Sequence, residues 1–256
     1  MKISRLIITS LLACSAAFMP MSGLRAATSS RIDPQALALL KRMSTTLGST
    51  KSFTCRTEGI LELPAVTGQF VTFFATGEIS LKRPNKLMIR IGGDAPHFDF
   101  YYDGSSVSAY APGTKVYSTL KAPPTMDAML TGLKAETGMR FPTAPLLYSD
   151  PYAVLTRGLF SGVVVGSDVV DGVKCTHLAF RSPGVNWEIW IESSSRALPR
   201  RLATTFTDRP NFPRMMITFS SWNLNPWLLC DSGFVFHKPA KVQEIPFGSV
   251  LKSAKR

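Results

Sequence analysis

Two segments in the first half of the chain constrain the fold more than anything else in it. One runs Gly77-Glu78-Ile79-Ser80-Leu81-Lys82-Arg83-Pro84-Asn85-Lys86-Leu87, the other Tyr101-Tyr102-Asp103-Gly104-Ser105-Ser106-Val107-Ser108-Ala109-Tyr110-Ala111-Pro112. In both, apolar and polar residues alternate on either side of strong turn chemistry, Arg83-Pro84-Asn85-Lys86 in one and Asp103-Gly104 in the other. Period-two alternation puts the apolar side chains on one face of a strand, and the turn residues reverse the chain, so each segment reads as an antiparallel hairpin.

The same logic extends in both directions. Asp33-Pro34 opens a helix, with Asp33 as N-cap and Pro34 at its first position; Leu37, Leu40 and Leu47 share a face with Met43 or Ser44, and Gly48 is placed to end it in a left-handed cap. A long strand then carries Phe53, Cys55, Thr57, Gly59, Leu61 and Leu63 on one face and Thr54, Arg56, Glu58 and Glu62 on the other, the pattern of a half-buried antiparallel sheet. A second long strand covers Gln69 to Arg83, with a bend or bulge expected at Gly77. Short strands follow at Leu87–Ile91, Phe98–Tyr102, Ser105–Tyr110 and Lys115–Leu120, forming a meander. At Pro123 the period changes: Met126, Met129, Leu130 and Leu133 stand at i, i+3, i+4 and i+7, one helical stripe capped by Thr125 and ended near Gly138. Asp150-Pro151 starts a second short helix. The meander resumes with strands at 161–170, 173–181, 185–192, 198–207 and 214–222, and a last strand is expected near Phe234. The reading is mainly β (α+β), a single antiparallel sheet of about ten or eleven strands with an N-terminal helix and a helical insertion. With no dividing linker, residues 27–248 form one domain, and 249–256 form a basic tail expected to be disordered.

The N-terminus has the form of an export signal: Lys2 and Arg5 precede a mostly apolar run from Leu6 to Met21, and Leu24-Arg25-Ala26 offers a cleavage site, so residues 1–26 are expected to be removed. Leu11-Leu12-Ala13-Cys14-Ser15 imitates a lipoprotein-processing box at Cys14, but Leu12 is bulky where a small residue is usual and Ala16–Met21 stays apolar after the cysteine. Removing Lys2, Arg5 and Arg25 with no acids lowers the net charge from +12 to +9. Spread-out positive charge reads first as a solvated surface, with attraction to anionic headgroups (peripheral contact with an anionic membrane surface) or to an acidic partner as the other reading; nucleic acid is not expected of an exported chain without a recognisable binding module. Cys55, Cys175 and Cys230 remain; no C-x-x-C pair occurs, and an oxidising compartment allows one disulfide, its pairing open, with Cys55 to Cys230 a guess.

Chemistry is sparse. There is no G-x-S-x-G elbow, no H-E-x-x-H, no phosphate-cradling loop and no dinucleotide fingerprint. His97 with Asp99, and Cys175 with His177, each share a strand face, but a metal site needs more ligands than either pair supplies. Neither a metal nor a cofactor is expected, and the chain reads as a non-enzyme. Apolar surface is what it has: Trp187, Ile189 and Ile191 alternate with Glu188, Trp190 and Glu192, while Phe98, Phe100 and Tyr102 line another strand, and Phe70 and Phe74 a third. A curved sheet needs a cover over one face. The Met126, Met129, Leu130, Leu133 stripe fits either a core helix or a flexible lid over an apolar cavity lined by Phe100, Tyr102 and Trp187.

In order and wording the two hairpins resemble the sheet of the bacterial outer-membrane lipoprotein carriers, the Lol superfamily. That pattern, a G-x-[FL]-x-[LV]-x-[KR]-P-x-[KR]-[FL] hairpin before a D-G-x-x-[LV]-x-x-Y-x-P hairpin, is met by Gly77, Ile79, Leu81, Arg83, Pro84, Lys86 and Leu87, then by Asp103, Gly104, Val107, Tyr110 and Pro112. A similar F-x-F-x-x-P ending occurs at Phe234, Phe236 and Pro239, followed by Ile245 and Phe247. Val170–Phe180, Trp187–Ile191 and Leu198–Leu202 resemble, more closely, a family of predicted periplasmic proteins of unknown function within that superfamily. The resemblance implies a strongly curved, unclosed β-barrel with helices over its concave face, a periplasmic location, and a monomer whose partner is an acyl chain, a lipid or a lipoprotein. A protein-interaction or sensor module with a filled cavity is the alternative.

Overall fold

A computed structural model describes residues 32–94, 97–137, 143–227 and 229–253; the signal at 1–26, Cys14 and the helix end at Gly138 lie outside them. Helix α1 (Pro34–Ser49) begins where Asp33 Oδ1 accepts the Gln35 N–H at 2.7 Å, with Pro34 in the first turn. Ala36, Leu40, Met43, Ser44 and Leu47 form its buried face. The helix does not stop at Gly48: it runs one residue further to an extended Thr50, and Gly48 is small because a Cβ there would meet the Ser149 carbonyl at 2.6 Å. The requirement is close approach of backbone, not a left-handed cap.

Strands β1 (Ser52–Pro64) to β6 (Val116–Lys121) form the first meander, through β2 (Phe70–Lys82), β3 (Lys86–Gly93), β4 (Phe98–Tyr102) and β5 (Ser106–Ala111). The second runs β7 (Ser161–Val170), β8 (Val173–Ser182), β9 (Val185–Glu192), β10 (Pro199–Phe206) and β11 (Arg214–Asn223). They fuse where β11 pairs antiparallel with β1, giving one twelve-stranded sheet in the order β12-β6-β5-β4-β3-β2-β1-β11-β10-β9-β8-β7, where β12 (Gln243–Glu244) adds parallel to β6. The two ends of this order do not pair, so the barrel is unclosed.

This topology dictates where the helices lie. β6 and β7 stand at opposite ends of the sheet, so the chain between them must traverse its concave face, and it does so as α2 (Met126–Thr137), a 3-10 turn (Ala144–Leu146) and α3 (Pro151–Leu155). Thr125 Oγ1 and Asp150 Oδ1 accept the N–H groups of Ala128 and Ala153 as caps. α1 packs against α3, β7 and β9, and its buried face joins the same core as the inward residues of the sheet.

The two diagnostic turns meet at one end of the half-barrel. Gly104, at φ +92°, lies so close to Asn85 that a Cβ would fall 2.6 Å from Nδ2, and Lys86 Nζ donates to the Asp103 carbonyl at 2.6 Å. The Asp103 carboxylate accepts from the N–H and hydroxyl groups of both Ser105 and Ser106. Burial alone would raise its pKa, but these hydrogen bonds hold it below the usual carboxylate range.

Four further expectations are corrected. No strand forms near Phe234; Asp231–Phe234 is a 3-10 turn, and the segment straps the convex face, where Phe236 packs on Tyr101, Tyr110 and Tyr117 with centroids 5.5–5.7 Å apart. Residues 247–253, partly assigned to a disordered tail, form α4, and Val250 is fully buried. β2 keeps continuous register through Gly77 with β1 and β3, so no bulge sits there; a Cβ would meet Thr57 Oγ1 at 2.4 Å. Finally, Cys55, Cys175 and Cys230 are all free thiols, since Cys55 faces the concave core, Cys175 lies buried in the convex-side cluster, and Cys230 is exposed.

Candidate functional site

All seven residues singled out from the sequence meet in one core. Phe100 and Tyr102 project inward from β4, Trp187 from β9, and Met126, Met129, Leu130 and Leu133 from α2; every one is at most 7 % exposed. Trp187 stacks on Phe180 at 4.3 Å, and the Tyr102 hydroxyl donates to the Pro123 carbonyl at 2.6 Å, tying the sheet to the start of α2. Burial, helped by Asp103, pushes the Tyr102 phenol up to about 12. All seven belong to the same buried cluster.

Open space lies one step along the same face, at the opposite rim. A hollow of about 170 Å³ is bounded by inward residues of β1 to β3 and β11: Thr57, Gly59, Leu61, Phe73, Ala75, Gly77, Ile79, Ile89, Ile91, Met215 and Ile217, with Thr143 beside it. Its origin is visible in the register. Gly59 faces Ala75 and Thr57 faces Gly77 across the β1–β2 ladder, so the middle of the two longest strands has almost no side-chain volume on its inner face. Ile79 and Ile89, both 4 % exposed, belong also to the core and form the floor. Towards the mouth the lining becomes more exposed, ending at Phe73 (36 %), with the equally exposed Leu63 next along the same face. The polar contribution is limited to threonine, so the site suits an apolar group and has no means of fixing a charged one. The sequence signal for it is the set of small inward residues Gly59, Ala75 and Gly77, of which Gly77 reads as a bend or bulge and the others as strand positions.

Polar contacts lie elsewhere. The Arg83 guanidinium donates to the carbonyls of Leu47 (3.2 Å), Leu147 (3.2 Å) and Tyr148 (2.9 Å), fastening the hairpin turn to the end of α1 and to the 3-10 turn. Burial lowers its pKa, opposed by Asp127. On the convex face His177 stacks on Trp190 at 3.9 Å and meets Glu188 at 3.0 Å, Glu188 meets Arg214 at 2.8 Å, and Trp190 Nε1 donates to Asp168 at 3.1 Å. Among the described residues no three His, Cys, Asp or Glu side chains are grouped to hold a metal.

Among the described residues, these features define an unclosed half-barrel whose concave side carries helices and, at one rim, an apolar hollow. Within that class, the chain belongs to the family described as predicted periplasmic protein (DUF2092), which matches residues 36–248. The family places it in the periplasm. None of the curated proteins matches it. Among solved structures it is similar to the Mycobacterium tuberculosis lipoprotein LppX, at 14 % identity and TM-score 0.43 over 75 % of this chain and 96 % of that one. It is similar also to a LolA superfamily protein from Nitrosomonas europaea, at 10 % identity and TM-score 0.42 over 78 % and 97 %. An uncharacterised conserved protein from Thermus thermophilus aligns at 12 % identity and TM-score 0.45 over 82 % and 98 %.

Proposed function

We propose that the protein, exported by its N-terminal signal, is a non-enzymatic periplasmic carrier that binds an apolar chain, such as the acyl group of a lipid or lipoprotein, in the rim hollow. The observation that supports this reading is the hollow itself: a side-chain-poor, uncharged cavity on the concave face of a half-barrel, open towards exposed apolar residues. Its volume sets the scale. An apolar cavity of about 150 Å³ accepts one benzene, so about 170 Å³ takes the end of one chain and not a whole lipid. Methylenes entering it gain roughly 0.8 kcal/mol each. Native mass spectrometry of protein purified from the periplasm is expected to show a co-purifying apolar ligand, and the purified chain to take up a fluorescent fatty acid as a monomer. A clean apo mass with no uptake would overturn the proposal.

The close packing around Phe100, Tyr102 and the α2 stripe favours a second reading, a protein-interaction or sensor module using the same fold. It predicts a clean apo mass together with a specific protein partner on pull-down.

A further inference from the structure

From Leu63 to Gly77 the chain has fifteen consecutive residues without a charge. β1 pairs with β11 only as far as Glu62↔Arg214, and β2 with β3 only as far as Ala75↔Gly93, so the β1–β2 tip stands clear of the sheet as a two-stranded ribbon. Its concave face is apolar, and its convex face carries Phe70 and Phe74 on either side of the Glu62–Thr72 pair. Leu63, Val71 and Phe73 continue the concave face, Phe70 and Phe74 lie on the convex side, and Val66 sits in the turn. Val66 is 108 % exposed, Phe74 57 % and Phe70 50 %. An exposed apolar ribbon of this kind requires an apolar surrounding. A groove on a folded partner would cover one face, whereas the interfacial layer of a bilayer takes in Phe70, Phe74 and the concave face together and leaves Glu62, opposite Arg214, at headgroup level.

Charge at the same rim points to the kind of surface. Arg181 lies over the ring of the 40 % exposed Phe160 at 5.2 Å, and Arg209 over Phe206 at 4.8 Å. In each pair an aromatic ring lies beside a cation, the arrangement that places a ring among acyl chains and a guanidinium on a phosphate. The acids of this rim sit at the base of the ribbon and beside it, short of the Val66 turn: Glu62 stands opposite Arg214 in the β1–β11 register, Asp94 Oδ2 accepts the Phe74 N–H at 3.1 Å, and Asp208 lies against Gly184, about 3.1 Å from where a Cβ would be. The chain after residue 26 has a net charge of +9, from +12 less the three cations Lys2, Arg5 and Arg25. We infer that the β1–β2 tip is a membrane-docking element that inserts into the interfacial layer of an anionic phospholipid bilayer, with Arg181 and Arg209 on headgroup phosphates. The inner face of the ribbon leads from that bilayer to the hollow.

Co-sedimentation with vesicles of phosphatidylethanolamine and phosphatidylglycerol tests this on the chain lacking residues 1–26. Val66→Asp and Phe74→Ser are each expected to weaken vesicle binding at least about tenfold, the loss of one inserted apolar side chain, with the thermal transition unchanged. Val66→Trp is expected to show blue-shifted emission on vesicles, and quenching by brominated lipid beyond that of the native tryptophans. Vesicle binding unchanged in these variants would overturn the inference. So would a dimer that Val66→Asp dissolves in sedimentation velocity, which would make the occupant a second copy, or capture of a soluble protein with no vesicle binding. Fatty-acid uptake by Val66→Asp is expected to equal that of the unsubstituted chain, so failure of the tip and failure of the hollow give different results.

Discussion

Replacing Arg83 by methionine tests how the half-barrel is held to its helices. The substitution keeps the length and apolar stem of the side chain and removes its three hydrogen bonds to the Leu47, Leu147 and Tyr148 carbonyls. A hydrogen bond from a charged donor is worth about 1.5–3 kcal/mol where both groups are dry. Arg83 is only half-buried, so water satisfies part of what is lost, and the sum falls to about 3–4 kcal/mol. In a domain of this size that lowers the melting temperature by about 6–15 °C. Urea unfolding followed by circular dichroism should show an earlier midpoint with an unchanged slope, because the same surface is exposed. Arg83→Lys should fall between the two, since one ammonium cannot serve three carbonyls in the guanidinium's fork. A loss below about 1 kcal/mol for Arg83→Met would refute the clamp and leave Arg83 an ordinary turn residue.

Other outcomes follow from the same geometry. The Asp103 carboxyl titrates below its unfolded value, so it stabilises the fold above the usual carboxylate pKa of about 3.9 and loses that effect as pH falls through the folded value; Asp103→Ala should flatten the acid limb of a stability–pH curve measured by thermal denaturation. With residues 1–26 removed, one thiol should react with a disulfide reagent in the native state and three after unfolding. The fast thiol is Cys230, exposed and lowered in pKa by hydrogen bonding from Ser232, while burial raises Cys55 to about 12; Cys230→Ser should remove the native reaction. Phe236→Ala should cost about 2–4 kcal/mol and loosen the strap, read as raised hydrogen exchange in 229–246.

Much of the fold was legible because its signals are local. Alternation and turn chemistry fixed the strand edges at Phe98–Tyr102, Ser161–Val170 and Val185–Glu192, and Asp33-Pro34 and Asp150-Pro151 marked two helix starts. What failed depended on distant partners. Gly48 and Gly77 carry no sign of whether they serve conformation or space, and only the approach of Ser149 and Thr57 decides it. Phe234 and Phe236 alternate as a strand would, yet both rings are spent on a convex surface that the sequence does not display. The hollow was not legible for a related reason. Large residues such as Trp187 and Met129 draw attention as a lining, but they fill space. The hollow is made by Gly59, Ala75 and Gly77, which become a feature only when the β1–β2 register sets them against each other.

The measurement that bears most directly on the account is a fatty-acid titration of the unsubstituted chain beside Ala75→Phe, with circular dichroism as the check on folding. A hollow the size of benzene holds about six carbon atoms, worth about 5 kcal/mol at roughly 0.8 kcal/mol each. A phenyl ring at position 75 occupies that volume, and with allowance for incomplete filling the affinity should fall at least about a hundredfold while the fold is kept. Equal affinity in a folded Ala75→Phe chain, or no binding by the unsubstituted one, would contradict the claim that this rim of the half-barrel receives an apolar chain.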